Sequence, residues 1–205
     1  MKKYTNIRKL SDNRFLNLFH LDALTDSGRP FDYYFVSRRK ADQIKLLTKD
    51  SAAEGVVIFP VWREDPEKIV LLRQYRYPLD DVLYELPAGL IDAGETPECA
   101  AIREMKEETG LSFEVYTGGD AAYRRPFFMG AGFTDESCNA IFGYASGAIS
   151  RREQEDTESI QVLVAGKDEV RRILREEKVS IRAAYLLMSF LNASEEAPFG
   201  FLDSF

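Results

Sequence analysis

The stretch GLIDAGETPECAAIREMKEETGL, residues 89–111, packs six carboxylates into one turn and one helix, with Arg103 and Lys106 as the only basic residues. Thr96 and Pro97 mark the helix start: a threonine hydroxyl caps a first turn, and proline fits where its missing N–H costs nothing. Gly110 marks the stop, supplying the left-handed residue that closes a helix. At about 100° per residue, Glu104, Glu107 and Glu108 fall within an arc of roughly 100°, with Ala100 and Ala101 one turn earlier on the same side. That face is acidic and sterically bare. Ile102, Met105 and Thr109 lie well round the cylinder and are the expected core contact, while Lys106 points away from the acids.

A solvated charged face is the common explanation for such a helix, and it fits poorly here. Glu104 with Glu108 and Glu104 with Glu107 are like-charge pairs, each costing a few tenths of a kcal/mol, and Arg103 to Glu107 runs in the weaker orientation. A hard divalent cation resolves the conflict, because Mg²⁺ takes oxygen ligands, usually one or two carboxylates with water and substrate phosphate.

The spacing reads Gly89, five residues, Glu95, seven residues, Arg103, Glu104, an apolar Met105, one residue, Glu107, Glu108, one residue, Gly110 and an apolar Leu111. This resembles the signature of the Nudix hydrolases, metal-dependent enzymes that cleave a diphosphate linked to another moiety. All nine specified positions match. The resemblance implies an α/β fold, an α/β/α sandwich with a mixed sheet, against which the signature packs as loop, helix and loop. It implies Glu104, Glu107 and Glu108 as metal ligands together with the Ala88 carbonyl, and Mg²⁺, with Mn²⁺ as the alternative, as cofactor. Arg103 would pair with Glu95 and brace the loop.

A chain of 205 residues is long enough to bury a core. Its net charge of −7 argues against a nucleic-acid partner. Cys99 and Cys138 suggest neither a disulfide framework nor a cysteine metal site. The start, MKKYTNIRKLSDNRF, lacks the apolar centre of a signal peptide, and no run approaches the roughly 18 apolar residues of a membrane span. The expectation is a cytoplasmic protein with no membrane partner.

RFLNLFHLDAL and FDYYFVSRR, joined by TDSGRP, predict a hairpin, with IKLLT as a third strand. KDSAAEG reads as a linker, giving an N-terminal antiparallel β-region over 1–48 and a second domain over 49–205. There, GVVIFPVW and KIVLLRQY are two strands joined by the turn REDPE, and VLYELPAG leads into the acidic stretch. FEVYTGG, AYRRPFFM and CNAIFGYA continue the sheet. SIQVLVA is followed by helices near 167–177 and 180–193. The tail EEAPFGFLDSF has no clear period.

RQYR at 73–76, ELPAG at 85–89, GFTDE at 132–136 and an acidic run before a strand are together similar to the ADP-ribose pyrophosphatase branch. In that branch an N-terminal β-region forms a homodimer. The branch usually has Ser-Pro-Gly where this chain has Gly130, Ala131 and Gly132. The resemblance implies hydrolysis of a nucleoside diphosphate linked to a sugar, ADP-ribose giving AMP and ribose 5-phosphate. Another nucleotide sugar is the alternative, as is a Nudix-fold binding module without catalysis.

Arg73 and Arg76 are candidate phosphate contacts through their forked donors, against a plain solvated strand edge. Glu85 is a candidate acceptor for sugar hydroxyls. Tyr33, Tyr34 and Phe35 cannot all face inward on one strand, so one face, with Tyr34, is a candidate to stack a base in the partner subunit's site. His20, the only histidine, reads as a packing residue. The general base is expected in REQEDTES, at Glu158, then Asp156, then Glu155, ahead of an apolar strand. TGGD lacks the lysine of a phosphate loop and reads as a turn.

Overall fold

The charged segment YTNIRK forms an edge strand, β1 (Tyr4–Lys9), with Tyr4 and Ile7 alone half-buried. It lies in a computed structural model that describes residues 2–154, 157 and 159–203. β1 pairs antiparallel with β2 (Asn17–Leu24), which pairs antiparallel with β3 (Pro30–Ser37) in the expected hairpin. Phe19, Leu21 and Ala23 of β2 point to one face and pack with Phe35 and Ile44. His20 points to the other, where its Nε2–H donates to Asp32 at 2.6 Å and Arg8 donates to its Nδ1 at 2.8 Å. It is a buried packing residue with both ring nitrogens bonded.

IKLLT is not the third strand; it forms one helical turn, α1 (Lys45–Thr48), closed by Lys49 in the left-handed region at φ 59°. The reason is burial: the adjacent Ile44 and Lys45 are both buried, whereas successive residues of a half-exposed strand point to opposite faces. The Lys45 ammonium donates to Glu54 at 2.8 Å and also to Ser137 Oγ. Glu54 further accepts from Arg39 and from the Ser137 N–H. Burial pushes the Glu54 carboxyl up, but the bonds from Lys45, the Ser137 amide and Arg39 outweigh it and hold the group below its ordinary value of 4.5.

These residues, up to Glu54, form one compact unit with Pro126–Cys138; Gly55–Arg125 and the chain from Asn139 onward form the other. In the second, GVVIFPVW becomes β4 (Gly55–Trp62), buried at every position but the last, as a strand covered on both faces must be. The chain continues through β5 (Lys68–Arg76), β6 (Asp81–Glu85), β7 (Ala88–Leu90), α2 (Pro97–Thr109) and β8 (Ser112–Val115). AYRRPFFM, expected as a strand, supplies a 3-10 turn at Ala121–Arg124 and only a two-residue strand, β9 (Phe127–Phe128), because Pro126 has no N–H to give a ladder. Then come β10 (Ser137–Ser146), β11 (Ile160–Gly166), α3 (Lys167–Glu176) and α4 (Ile181–Asn192).

The larger sheet runs β11-β5-β4-β10-β8, with β6 on β5, β7 on β4 and β9 on β10. Backbone bonds from Glu54 to Ser137 and from Arg63 to Ala145 advance together, so β4 and β10 are parallel. β5 is antiparallel to β4, β6 and β11, which makes the sheet mixed. Val56 and Ile58 pack with Ala100, Ala101 and Met105 of α2. Phe59, one residue on, meets Phe142, Phe190 of α4, Phe199 and Phe201. Helices thus cover both faces, and the tail docks through Phe199 stacked on Tyr116 at 4.5 Å. Among the described residues no helix is long and apolar enough to cross a membrane.

Glu54→Gln should destabilise the protein by about 2–3 kcal/mol at pH 7, since Lys45 then keeps its charge in a buried place without a counter-ion. A carboxyl held low in the folded state contributes stability above its ordinary value and loses it as pH falls through the folded one. Urea unfolding should therefore show a gap between wild type and Gln variant that narrows in acid; an equal gap at pH 7 and pH 3.5 contradicts this assignment.

Candidate metal-binding site

The acidic helix is set by its ends. The Thr96 hydroxyl accepts from the Cys99 N–H at 3.2 Å, Pro97 occupies the first turn, and Gly110 closes the helix at φ 76°. Ala100, Ala101, Met105, Glu108 and Thr109 are buried, whereas Ile102, expected in the core, is 45% exposed. The two alanines explain the difference: their small side chains are what α2 lays on the sheet, so the helix sits close and Ile102 turns outward.

That rotation brings the acids against β7. A Cβ on Gly89 would stand 1.8 Å from the Glu104 carboxyl carbon, so only glycine admits the carboxylate there. One residue earlier, the Ala88 N–H donates to Glu108 Oε2 at 3.1 Å, and Glu108 is 3% exposed. Gln154, which the sequence reading did not single out, donates to the Glu108 backbone carbonyl at 2.6 Å. A lone glutamine in a polar run carries no signal for such a contact.

Arg103 joins the acids. Its Nε and one terminal nitrogen donate to the two oxygens of Glu95 at 3.1 and 2.9 Å, a fork-to-fork pair. The other terminal nitrogen donates to Glu104 at 2.8 Å and Glu107 at 2.9 Å, and the Leu90 carbonyl accepts at 2.8 Å from the nitrogen that serves Glu95. The Arg103 bond, with the Asp92 N–H behind it, holds the Glu95 carboxyl below its ordinary range. The same Glu95 bond, foremost, raises the guanidinium further above its already high value.

Glu104, Glu107, Glu108 and the Ala88 carbonyl offer oxygen donors only, with no histidine or cysteine among them. Such a set suits a hard divalent cation, Mg²⁺, Mn²⁺ or Ca²⁺, and not a thiophilic one. The space that a side chain at Gly89 would fill is taken by the Glu104 carboxylate, which therefore lies beside the backbone of β7.

Arg73 and Arg76 stand on β5, and Glu85 ends the neighbouring β6. Glu85 is buried and accepts from Arg76 Nε at 2.5 Å, so it is tied to a guanidinium. A second arginine, Arg182 of α4, lies 3.6 Å from its other oxygen. Tyr34 belongs to the first unit, is 52% exposed, and its ring lies 4.9 Å from that of His20. Glu155, Asp156 and Glu158 lie outside the described residues. His20, Asp22 and Asp32 also lie close together, but the Arg8 guanidinium bonds both His20 and Asp22, which makes this a satisfied polar cluster.

Arg103→Lys keeps the charge and loses the fork. The Glu95 carboxyl, followed by ¹³C NMR, should titrate clearly below 4.5 in wild type and move back toward it in the Lys variant. Identical titration curves would show that the fork does not set the Glu95 charge.

A NUDIX domain model matches residues 52–183. The chain is 31% identical over 167 residues to the ADP-ribose pyrophosphatase of Bacillus subtilis (strain 168), covering 78% of this chain and 85% of that protein. It is 46% identical over 127 residues to the ADP-ribose pyrophosphatase of Saccharomyces cerevisiae, covering 60% of this chain and 52% of that protein. The chain thus spans about half the length of some of the curated relatives it matches. The crystal structure of an ADP compounds hydrolase aligns with a TM-score of 0.66 at 18% identity over 92% of each chain, a likeness of fold. With the acidic loop and helix set against a mixed sheet between helical layers, and a family model spanning most of the chain, this protein belongs to the Nudix family.

Proposed function

We propose that this protein is a Mg²⁺-dependent diphosphatase that hydrolyses ADP-ribose to AMP and ribose 5-phosphate, with Mn²⁺ able to substitute. The observation that carries this reading is that the Nudix loop and helix set the Glu104 carboxylate against Gly89 and bond Glu108 to the Ala88 N–H; Glu104, Glu107, Glu108 and the Ala88 carbonyl are the oxygen donors we assign to the cation. The activity named for the Bacillus and yeast relatives supports the substrate. When bound, the cation offsets diphosphate charge and makes water a better nucleophile.

The protein's own residues supply the rest. Arg103 and Glu95 hold the loop that carries Ala88 and Gly89 against α2, so the donors keep their positions through turnover. Arg73 and Arg76 take phosphate oxygens. Glu85, expected to receive sugar hydroxyls, is buried against two arginines and steadies Arg76 instead. Tyr34 stacks the base across a homodimer to which residues 1–48 contribute. The base that takes the proton from water is Glu158, with Asp156 and Glu155 next in the same run; this assignment rests on the sequence pattern. Cys99 is exposed and Cys138 buried, and a chain with neither in a disulfide suits the cytoplasm.

Nucleotide sugars incubated with and without Mg²⁺, then with a phosphomonoesterase, should release phosphate fastest from ADP-ribose. Glu104→Gln and Glu108→Gln should each lower kcat by at least about a hundredfold, in the range lost with an essential catalytic group, while urea midpoints change little. Amide variants of Glu155, Asp156 and Glu158 should single out one with a comparable kcat loss and unchanged Mg²⁺ affinity. Near-normal turnover in both signature variants would overturn the metal assignment, and a wild type inert on every diphosphate would favour a binding module. Sedimentation at micromolar concentration should give a dimer; a monomer contradicts the role given to residues 1–48.

A further inference from the structure

α4 begins on a fixed anchor. The Tyr84 N–H donates to the Lys178 carbonyl at 2.8 Å and the Ser180 N–H to the Tyr84 carbonyl at 3.0 Å, so residues 178–180 run as a short parallel bridge beside β6. The Ser180 hydroxyl then caps α4. Arg182, in the first turn, is thereby held next to Glu85, the residue that follows Tyr84. The Glu85 side chain is 6% exposed and its two oxygens are divided: Oε2 accepts from Arg76 Nε at 2.5 Å, and Oε1 faces a terminal nitrogen of Arg182 at 3.6 Å, an ion pair longer than a hydrogen bond.

One buried carboxylate thus lies between two guanidiniums, and Arg73 stands on the same strand as Arg76. Three residues after Glu85 the chain reaches Ala88, whose N–H is held by Glu108. Arg76 uses its Nε on Glu85, which aims the flat guanidinium and fixes its orientation.

Resting on the function proposed above, we propose that Arg182 of α4 is a positioning residue of the substrate site: by holding Glu85 Oε1 it fixes Glu85, and through Glu85 the Arg76 guanidinium that receives a phosphate oxygen. Arg182 holds a nearly dry carboxylate in one rotamer. Without it, Glu85 has a single cationic partner, its free oxygen turns toward Arg76, and the guanidinium closes on the carboxylate instead of the substrate. The sequence offers no motif for this, because Arg182 lies 106 positions after Arg76 and only the bridge at Tyr84 brings α4 to β6.

The test compares wild type, Arg182→Met, Arg182→Lys, Arg76→Met and the double Met variant. With ADP-ribose and Mg²⁺, R182M should raise KM about tenfold, the scale of one charge-assisted hydrogen bond, with kcat within about threefold of wild type. R182K should restore most of the loss, and R182M should add little to R76M, since both act through one guanidinium. The same five proteins titrated with inorganic diphosphate by calorimetry should show the same order of affinities, which keeps the inference testable if ADP-ribose proves not to be a substrate. An unchanged KM and diphosphate affinity in R182M overturns it, as do fully additive effects of the two Met substitutions. A loss in R182M that follows a fall in melting temperature, with no rescue by lysine, also overturns it and leaves a purely structural contact.

Discussion

The placement of one arginine among acids governs the architecture around α2. Glu104 and Glu107 repel each other along the helix, yet Arg103, whose own position points beside them, gives one nitrogen to both and the opposite edge of its guanidinium to Glu95. The rigid fork lets a single cation serve three carboxylates, which a lysine could not do. Through the Leu90 carbonyl it also fastens β7. The loop from Ala88 to Glu95 is therefore bound at both ends to the helix that follows it.

That arrangement works only because α2 lies close to the sheet. Ala100 and Ala101 are fully buried, and Gly89 offers no side chain to the approaching Glu104. Larger residues at the two alanines would lift the helix, and a side chain at Gly89 would displace the Glu104 carboxylate. Burial of Glu108 follows from the same closeness, and its cost is offset by the Ala88 amide. The second cationic group is built differently: β5 and β6 pair so that Arg73 and Arg76 stand beside the strand that ends in Glu85, and that strand runs directly into Ala88. The arginines proposed as phosphate contacts thus flank a strand that leads along the chain into the loop proposed to hold the cation.

Much of this was legible before the structure. The capping residues, the glycine stop and the apolar runs of β4, β5 and β11 all declare themselves by local chemistry, and the nine-position spacing identifies the family. What local chemistry does not declare is which face of an amphipathic helix meets the sheet. Ile102 looks like a core residue by hydropathy, but the sheet accepts the alanine face because the acids need to reach β7. IKLLT looks like a strand by composition, yet Lys45 has partners at Glu54 and Ser137, the second 92 residues away, and no window of sequence can show that pairing. Gln154 and Arg182 were invisible for the same reason, being contacts made by topology rather than by motif.

The same dependence on distant segments changes what the N-terminal region is for. It gathers residues 126–138, which contain the TDE segment, into its own unit. The Val36 N–H donates to the Phe133 carbonyl, the Tyr33 hydroxyl to the Gly132 carbonyl, the Lys45 N–H to Asp135, and Arg38 to Glu136. Gly130, where a Cβ would strike the Phe133 ring at 2.6 Å, closes the turn by accepting from both Phe133 and Thr134. A region that served only to join subunits would have no need to bond four residues of this loop. Here β3 and α1 act as its scaffold, so that removing the first 48 residues would strip the Gly132 and Phe133 carbonyls and the Asp135 and Glu136 side chains of these partners along with any subunit contact.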